Sequence, residues 1–157
     1  KFAASKDRSA KAIYLCEIAL SQKDSNEETI AEIADIAENG YAYAYDLLGD
    51  LYRTFGNELS AADCYVNAFR YGIASSGTKF VLIVQAGAEI RDDLVDEFIS
   101  VAYKFSREGH AYAGFLLAYY YDAVVGYNKV AAELFKAAAC NGSPLAERIL
   151  KLKNLTL

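Results

Sequence analysis

Three segments of the chain repeat one spacing: a glycine, an alanine four residues on, and a leucine four after that. They are Ala37-x-x-Gly40-x-x-x-Ala44-x-x-x-Leu48, Gly109-x-x-x-Ala113-x-x-x-Leu117 and Ala139-x-x-Gly142-x-x-x-Ala146-x-x-x-Leu150. A weaker fourth copy, Phe69-x-x-Gly72-x-x-x-Ser76-x-x-x-Phe80, lacks both the alanine and the leucine. The glycines at 40, 72, 109 and 142 cut the chain into units of thirty-odd residues, the mark of a helical repeat array.

Periodicity is helical nearly throughout. Ala10, Ile13, Tyr14, Glu17, Ile18 and Leu20 predict an amphipathic helix over about 5–22, with Ser5 as its cap. Ser25-Asn26-Glu27-Glu28 then has the composition of a helix start, where acids favour the positive end. Ile30, Ile33, Ala34 and Ala37 mark one face of a second helix that stops at Asn39-Gly40, since glycine takes the left-handed conformation without steric cost. Further helices are expected over about 41–55, 58–71, 110–123, 127–141 and 143–154. The last opens with Ser143 as cap and Pro144 at the first helical position.

The third pair is the least regular. Phe80 to Val84, the longest apolar run, reads locally as a buried strand. A lone strand among helices would leave its backbone groups unpaired, so a helix over about 76–90 is expected instead. Arg91-Asp92-Asp93 then starts a helix to about 107, with Leu94, Val95, Phe98, Ile99, Ala102 and Phe105 inward.

Aligning the second pair with the fourth exposes a duplication. Ala44-x-x-x-Leu48-Gly49-x-x-Tyr52 matches Ala113-x-x-x-Leu117-Ala118-x-x-Tyr121. After the loop, Ala61-x-x-x-Tyr65-x-x-Ala68 matches Ala131-x-x-x-Phe135-x-x-Ala138, with one extra residue before it. Small residues at Ala44, Gly49 and Ala68 are expected to let paired helices approach closely, while Leu48, Tyr52 and Tyr65 fill the space between pairs.

Composition excludes several functions. The net charge of −5, with no run of Lys and Arg, argues against a nucleic-acid or anionic-membrane surface. No apolar run approaches the length of a membrane span. The three cysteines, Cys16, Cys64 and Cys140, are widely spaced and odd in number, so buried free thiols are expected rather than a disulfide framework, which slightly favours a cytoplasmic setting. The chain has no methionine, even at position 1, and is expected to be cut from something longer, by signal-peptide removal or otherwise.

No catalytic constellation assembles around His110, the only histidine. Asp92, Asp93, Asp96 and Glu97 are expected to be a solvated helix start rather than a metal site. The glycines form no phosphate loop, and no cofactor or metal is expected.

Leu48-Gly49-x-x-Tyr52 followed by Ala61-x-x-x-Tyr65 resembles the tetratricopeptide signature, with Tyr45 where that family often has Trp. The Ala-x-x-Gly-x-x-x-Ala-x-x-x-Leu-Gly junction, and the lack of a proline closing each second helix, are more similar to the related Sel-one-like repeat. This resemblance implies an all-α fold: a right-handed α/α superhelix of four pairs (about 5–39, 41–72, 76–108 and 110–141) and a closing helix at 143–154, in a single domain of residues 1–157. It also implies a non-enzymatic scaffold that binds a partner protein in its concave groove, as an adaptor, assembly factor or neutralising partner. The other reading is a structural or regulatory domain of a larger, possibly enzymatic, polypeptide.

In such arrays the first helix of each pair lines the groove. The resemblance places Tyr43, Asp46, Asp50 and Arg53 of the second pair there, and Tyr112, Phe115, Tyr119 and Asp122 of the fourth. Aromatics flanked by acids imply a partner of apolar and basic character. If these residues only line a groove, replacing Asp46 and Asp50 should leave melting unchanged.

Overall fold

The computed structural model describes residues 2–22 and 27–155, and every regular element among them is helical. The elements are α1 (Phe2–Gln22), α2 (Glu27–Glu38), α3 (Tyr43–Thr54), α4 (Glu58–Arg70), α5 (Ala74–Gln85), α6 (Asp92–Arg107), α7 (Ala111–Tyr120), a π-helical turn (Tyr121–Val125), α8 (Asn128–Cys140) and α9 (Pro144–Leu152). The run Phe80–Val84 is helical, as the backbone-pairing argument requires. Packing joins mostly neighbours in sequence: α3 with α4, α7 with α8, α6 with α7 and α8 with α9.

The glycine spacing has one local cause. Gly40 sits at φ +98°, and its N–H donates to the Ala37 carbonyl while the Tyr41 N–H donates to that of Ile36. This pair of bonds is a Schellman closure, in which a left-handed residue turns the chain back onto orphan carbonyls of the last turn. The same two bonds recur at Gly72, Gly109 and Gly142. The weak fourth copy thus keeps the closure while losing the alanine and the leucine. Helix starts are more varied. Asn57 caps α4 by accepting from the Ser60 N–H, and Ser143 caps α9 ahead of Pro144.

The chain divides into two compact units. One runs up to Phe80 and includes Ala88–Ile90; the other is Val81–Gly87 together with Arg91 onward. In the first unit the core is built from Ala12, Cys16, Ala19, Ile33, Ile36, Ala37, Ala44, Leu48 and Leu51. Gly49 has no room for a side chain, because a Cβ there would lie 2.4 Å from the Tyr65 ring. The close approach of α3 and α4 at this point is therefore written into one residue. In the second unit Ala118, Ala131, Phe135, Ala138, Ala146 and Leu150 form a core cluster, with Leu117 buried nearby.

Some expectations need correction. α1 begins at Phe2, so Ser5 lies inside the helix. The buried face of α1 is Ala12, Cys16 and Ala19, while Ile13, Tyr14 and Leu20 are exposed. Small side chains let α1 lie close to α2 and α3, so close approach, rather than side-chain size, decides which face turns inward. On α6 only Leu94, Phe98 and Ala102 of the six expected positions are fully buried. α5 ends at Gln85 rather than near 90. Cys140 is exposed, unlike Cys16 and Cys64. The expected cap at Ser25-Asn26 lies outside the described residues.

The π turn absorbs the one extra residue of the fourth pair. Leu48 precedes Tyr65 by 17 positions, whereas Leu117 precedes Phe135 by 18. Both aromatics are fully buried, so the surplus residue widens the end of α7 instead of shifting the register of α8.

Leu117 is 1% exposed, and an aspartate there would bury an unpaired carboxylate. Leu117→Asp should cost more than about 4 kcal/mol and unfold the helices around it. Circular dichroism during heating checks this: a variant with wild-type helicity and midpoint would count against Leu117 as a core residue.

Candidate functional site

The eight residues expected in the groove fall into two groups with different surroundings. In the first unit the side chains of α3 meet a polar cluster. Asp46 is only 2% exposed. Its Oδ1 accepts from Ser76 Oγ at 2.6 Å and its Oδ2 from Lys79 Nζ at 2.9 Å. Asp50, one turn on, accepts from the same ammonium at 2.7 and 2.8 Å and from the Tyr65 hydroxyl at 2.7 Å. Lys79 Nζ also lies 5.3 Å from the centre of the Tyr65 ring, within reach of a cation–π contact. Three helices, α3, α4 and α5, thus contribute to one network.

Burial alone would push the Lys79 ammonium toward neutrality, but its hydrogen bonds to Asp50 and Asp46, and their charges, leave it above the ordinary lysine value. Tyr65 is driven upward by burial first, then by its hydrogen bond to Asp50 and that carboxylate's charge. Neither shift suits acid–base chemistry near neutral pH, which needs groups poised to exchange protons there. The network is built to hold its protons.

Asp46 is therefore an internal residue of this unit, and its replacement cannot leave melting unchanged. Removing a carboxylate that the buried Ser76 hydroxyl and the half-buried Lys79 ammonium face would leave both donors short of an acceptor. Tyr43 is 39% exposed and meets the Tyr41 ring edge-on, and Arg53 is exposed at the end of α3.

In the second unit the α7 residues form an aromatic ladder. Tyr112 stacks on Phe115 at 6.0 Å between ring centres, and Phe115 on Tyr119 at 6.1 Å. Phe115 is anchored by a tilted contact with Phe135 of α8. The Tyr119 hydroxyl donates to Gln85 Oε1 at 3.0 Å, and Tyr112 is 37% exposed. Asp122, in the π turn, accepts from Lys153 just beyond α9.

Sequence reasoning missed Ser76, Lys79 and Lys153. A signal for the first two existed. Ser76 stands where the stronger copies have alanine, and Lys79 follows one turn later on the same helix. A polar residue at a small buried position requires a partner, and Asp46 is that partner.

His110 precedes α7, with its ring edge-on to Phe105. Among the described residues no group of three or more His, Cys, Asp or Glu side chains is placed to hold a metal ion. No helix among them is long and apolar enough to cross a membrane. Compared with known proteins, the chain matches no family model, no curated protein and no solved structure.

The raised Tyr65 gives a pH prediction. The folded state keeps a proton that the unfolded chain releases above about pH 10, so this contribution is full below that pH and is lost as pH rises. Lys79 acts with the same sign. Tyr65→Phe should be less stable at pH 8, through loss of the bond to Asp50. Its stability should also fall less steeply above pH 10, by up to about 1.4 kcal/mol per pH unit. Urea unfolding across pH 8–11.5 measures both, and equal slopes in the two proteins would refute the assignment.

Proposed function

We propose that the chain is a non-enzymatic interaction scaffold of the Sel-one-like kind, its helix pairs forming a right-handed array that holds a segment of another protein. The observation that carries this reading is the α7 ladder of Tyr112, Phe115 and Tyr119. Rigid aromatic side chains presented from a helix supply large contact area at low entropic cost, and they dominate the energetics of protein interfaces. Tyr43 occupies the corresponding position on α3, one residue before the conserved-spacing alanine, and is also exposed. The identical closures at Gly40, Gly72, Gly109 and Gly142 support the repeat assignment, because each resets the chain by the same turn.

The ladder favours a partner with apolar side chains. The expected basic character rested on Asp46, Asp50 and Asp122; Lys79 pairs with the first two and Lys153 with the third. A catalytic role has no support of comparable weight, since in the polar cluster of α3, α4 and α5 Tyr65 and Lys79 hold their protons more firmly than usual.

Parallel capture with the wild-type protein and a Tyr43→Ser/Tyr112→Ser variant tests the proposal. Both side chains are partly exposed, so the variant should melt within a few degrees of wild type. Partner recovery should fall at least about tenfold, as expected when interface aromatics are truncated. Recovery of the same proteins in the same amounts by both, or of none by the wild type, would count against the scaffold.

A further inference from the structure

The π turn after α7 borders a hollow of about 510 Å³ in the second unit. Ala132 and Leu155 supply its accessible apolar lining, with the buried Phe135 beneath. Lys129, Lys153 and Asp122 supply its charges. Lys153 is bonded to Asp122, whereas Lys129 is exposed and has no carboxylate partner among the described residues. Two ammonium groups against one carboxylate leave one net positive charge beside an aliphatic surface.

The hollow adjoins the ladder through Phe135, which borders the hollow and touches the Phe115 ring, while Asp122 lies in the π turn that follows α7. The extra residue of this pair, absorbed in the turn Tyr121–Val125, is what distinguishes this end of α7 from the matching end of α3. π-helical turns of this kind occur frequently at functional sites.

We infer that this hollow receives an acidic residue flanked by apolar side chains, carried by the partner segment that lies along the α7 ladder. This rests on the scaffold reading and gives it a chemistry: apolar contact from Ala132 and Leu155, charge selection from Lys129. The carboxylate faces Lys129 directly, while Asp122 limits how strongly Lys153 attracts it. The charge preference is opposite to the one that Asp46, Asp50 and Asp122 suggested from sequence.

The test uses the peptide acetyl-Gly-Phe-Glu-Leu-Gly-amide and its counterpart with Lys in place of Glu, each titrated into the isotope-labelled protein. Backbone amide shifts are followed by NMR. The acidic peptide should shift the amides of Lys129, Ala132 and Leu155 saturably, and the lysine peptide should bind at least about threefold more weakly. Lys129→Glu should weaken the acidic peptide about threefold, and Asp122→Asn should strengthen it by a similar factor. Misfolding cannot produce opposite changes in two neighbouring variants. Equal affinity for the two peptides, unchanged affinity in both variants, or no saturable shift at the hollow would each overturn the inference. Partner capture by Lys129→Glu at the wild-type level would remove the hollow and leave the scaffold standing. Loss of partner recovery by the wild type itself would remove the scaffold.

Discussion

A buried carboxylate needs partners, and in the first unit the arrangement of three helices follows from meeting that need at Asp46. Leaving a carboxylate at 2% exposure without donors would cost several kcal/mol. Ser76 and Lys79 supply the donors from α5, and Lys79 in turn ties in Asp50 and, through it, Tyr65 of α4. The position of Tyr65 then fixes the residue opposite, since its ring occupies the space that a Cβ on Gly49 would fill. Helix approach and charge placement among α3, α4 and α5 are tied together by one satisfied network.

Helix boundaries were legible because their determinants are local. A glycine at φ near +90° closes a helix wherever it stands, and the spacing 40, 72, 109, 142 can be read without knowing what packs on what. Leu48, Leu117, Tyr65 and Phe135 were legible for a related reason: two copies agree on them, and all four are buried. The inward face of α1 was not legible, because Ala12, Cys16 and Ala19 compete there with larger apolar residues that stay in water. Only the neighbouring helices settle that competition.

Asp46 shows why site residues are harder. Its place between packing positions is the same as that of Phe115 in the other pair, yet its environment depends on the degenerate copy from which Ser76 and Lys79 come. Periodicity gives the direction of a side chain and says nothing of a charged neighbour arriving from 33 residues away. The π turn is a similar case. The extra residue was visible in the alignment, but its absorption at Tyr121–Val125, bringing Asp122 to Lys153, depends on the fixed burial of Phe135. In each unit the equivalent helix positions meet different surroundings, a polar network on α3 and a stack of aromatic rings on α7.

The account turns on Asp46 belonging to the fold, and a double-mutant cycle addresses this most directly. Asp46→Asn, Lys79→Met and the combined variant are unfolded in urea at pH 7. Each single change should cost about 2 kcal/mol, because it strands a charge or a donor. The pair together should cost less than the sum by at least about 1 kcal/mol. Additive costs within about 0.5 kcal/mol, or a silent Asp46→Asn, would contradict the account and return that side chain to the surface.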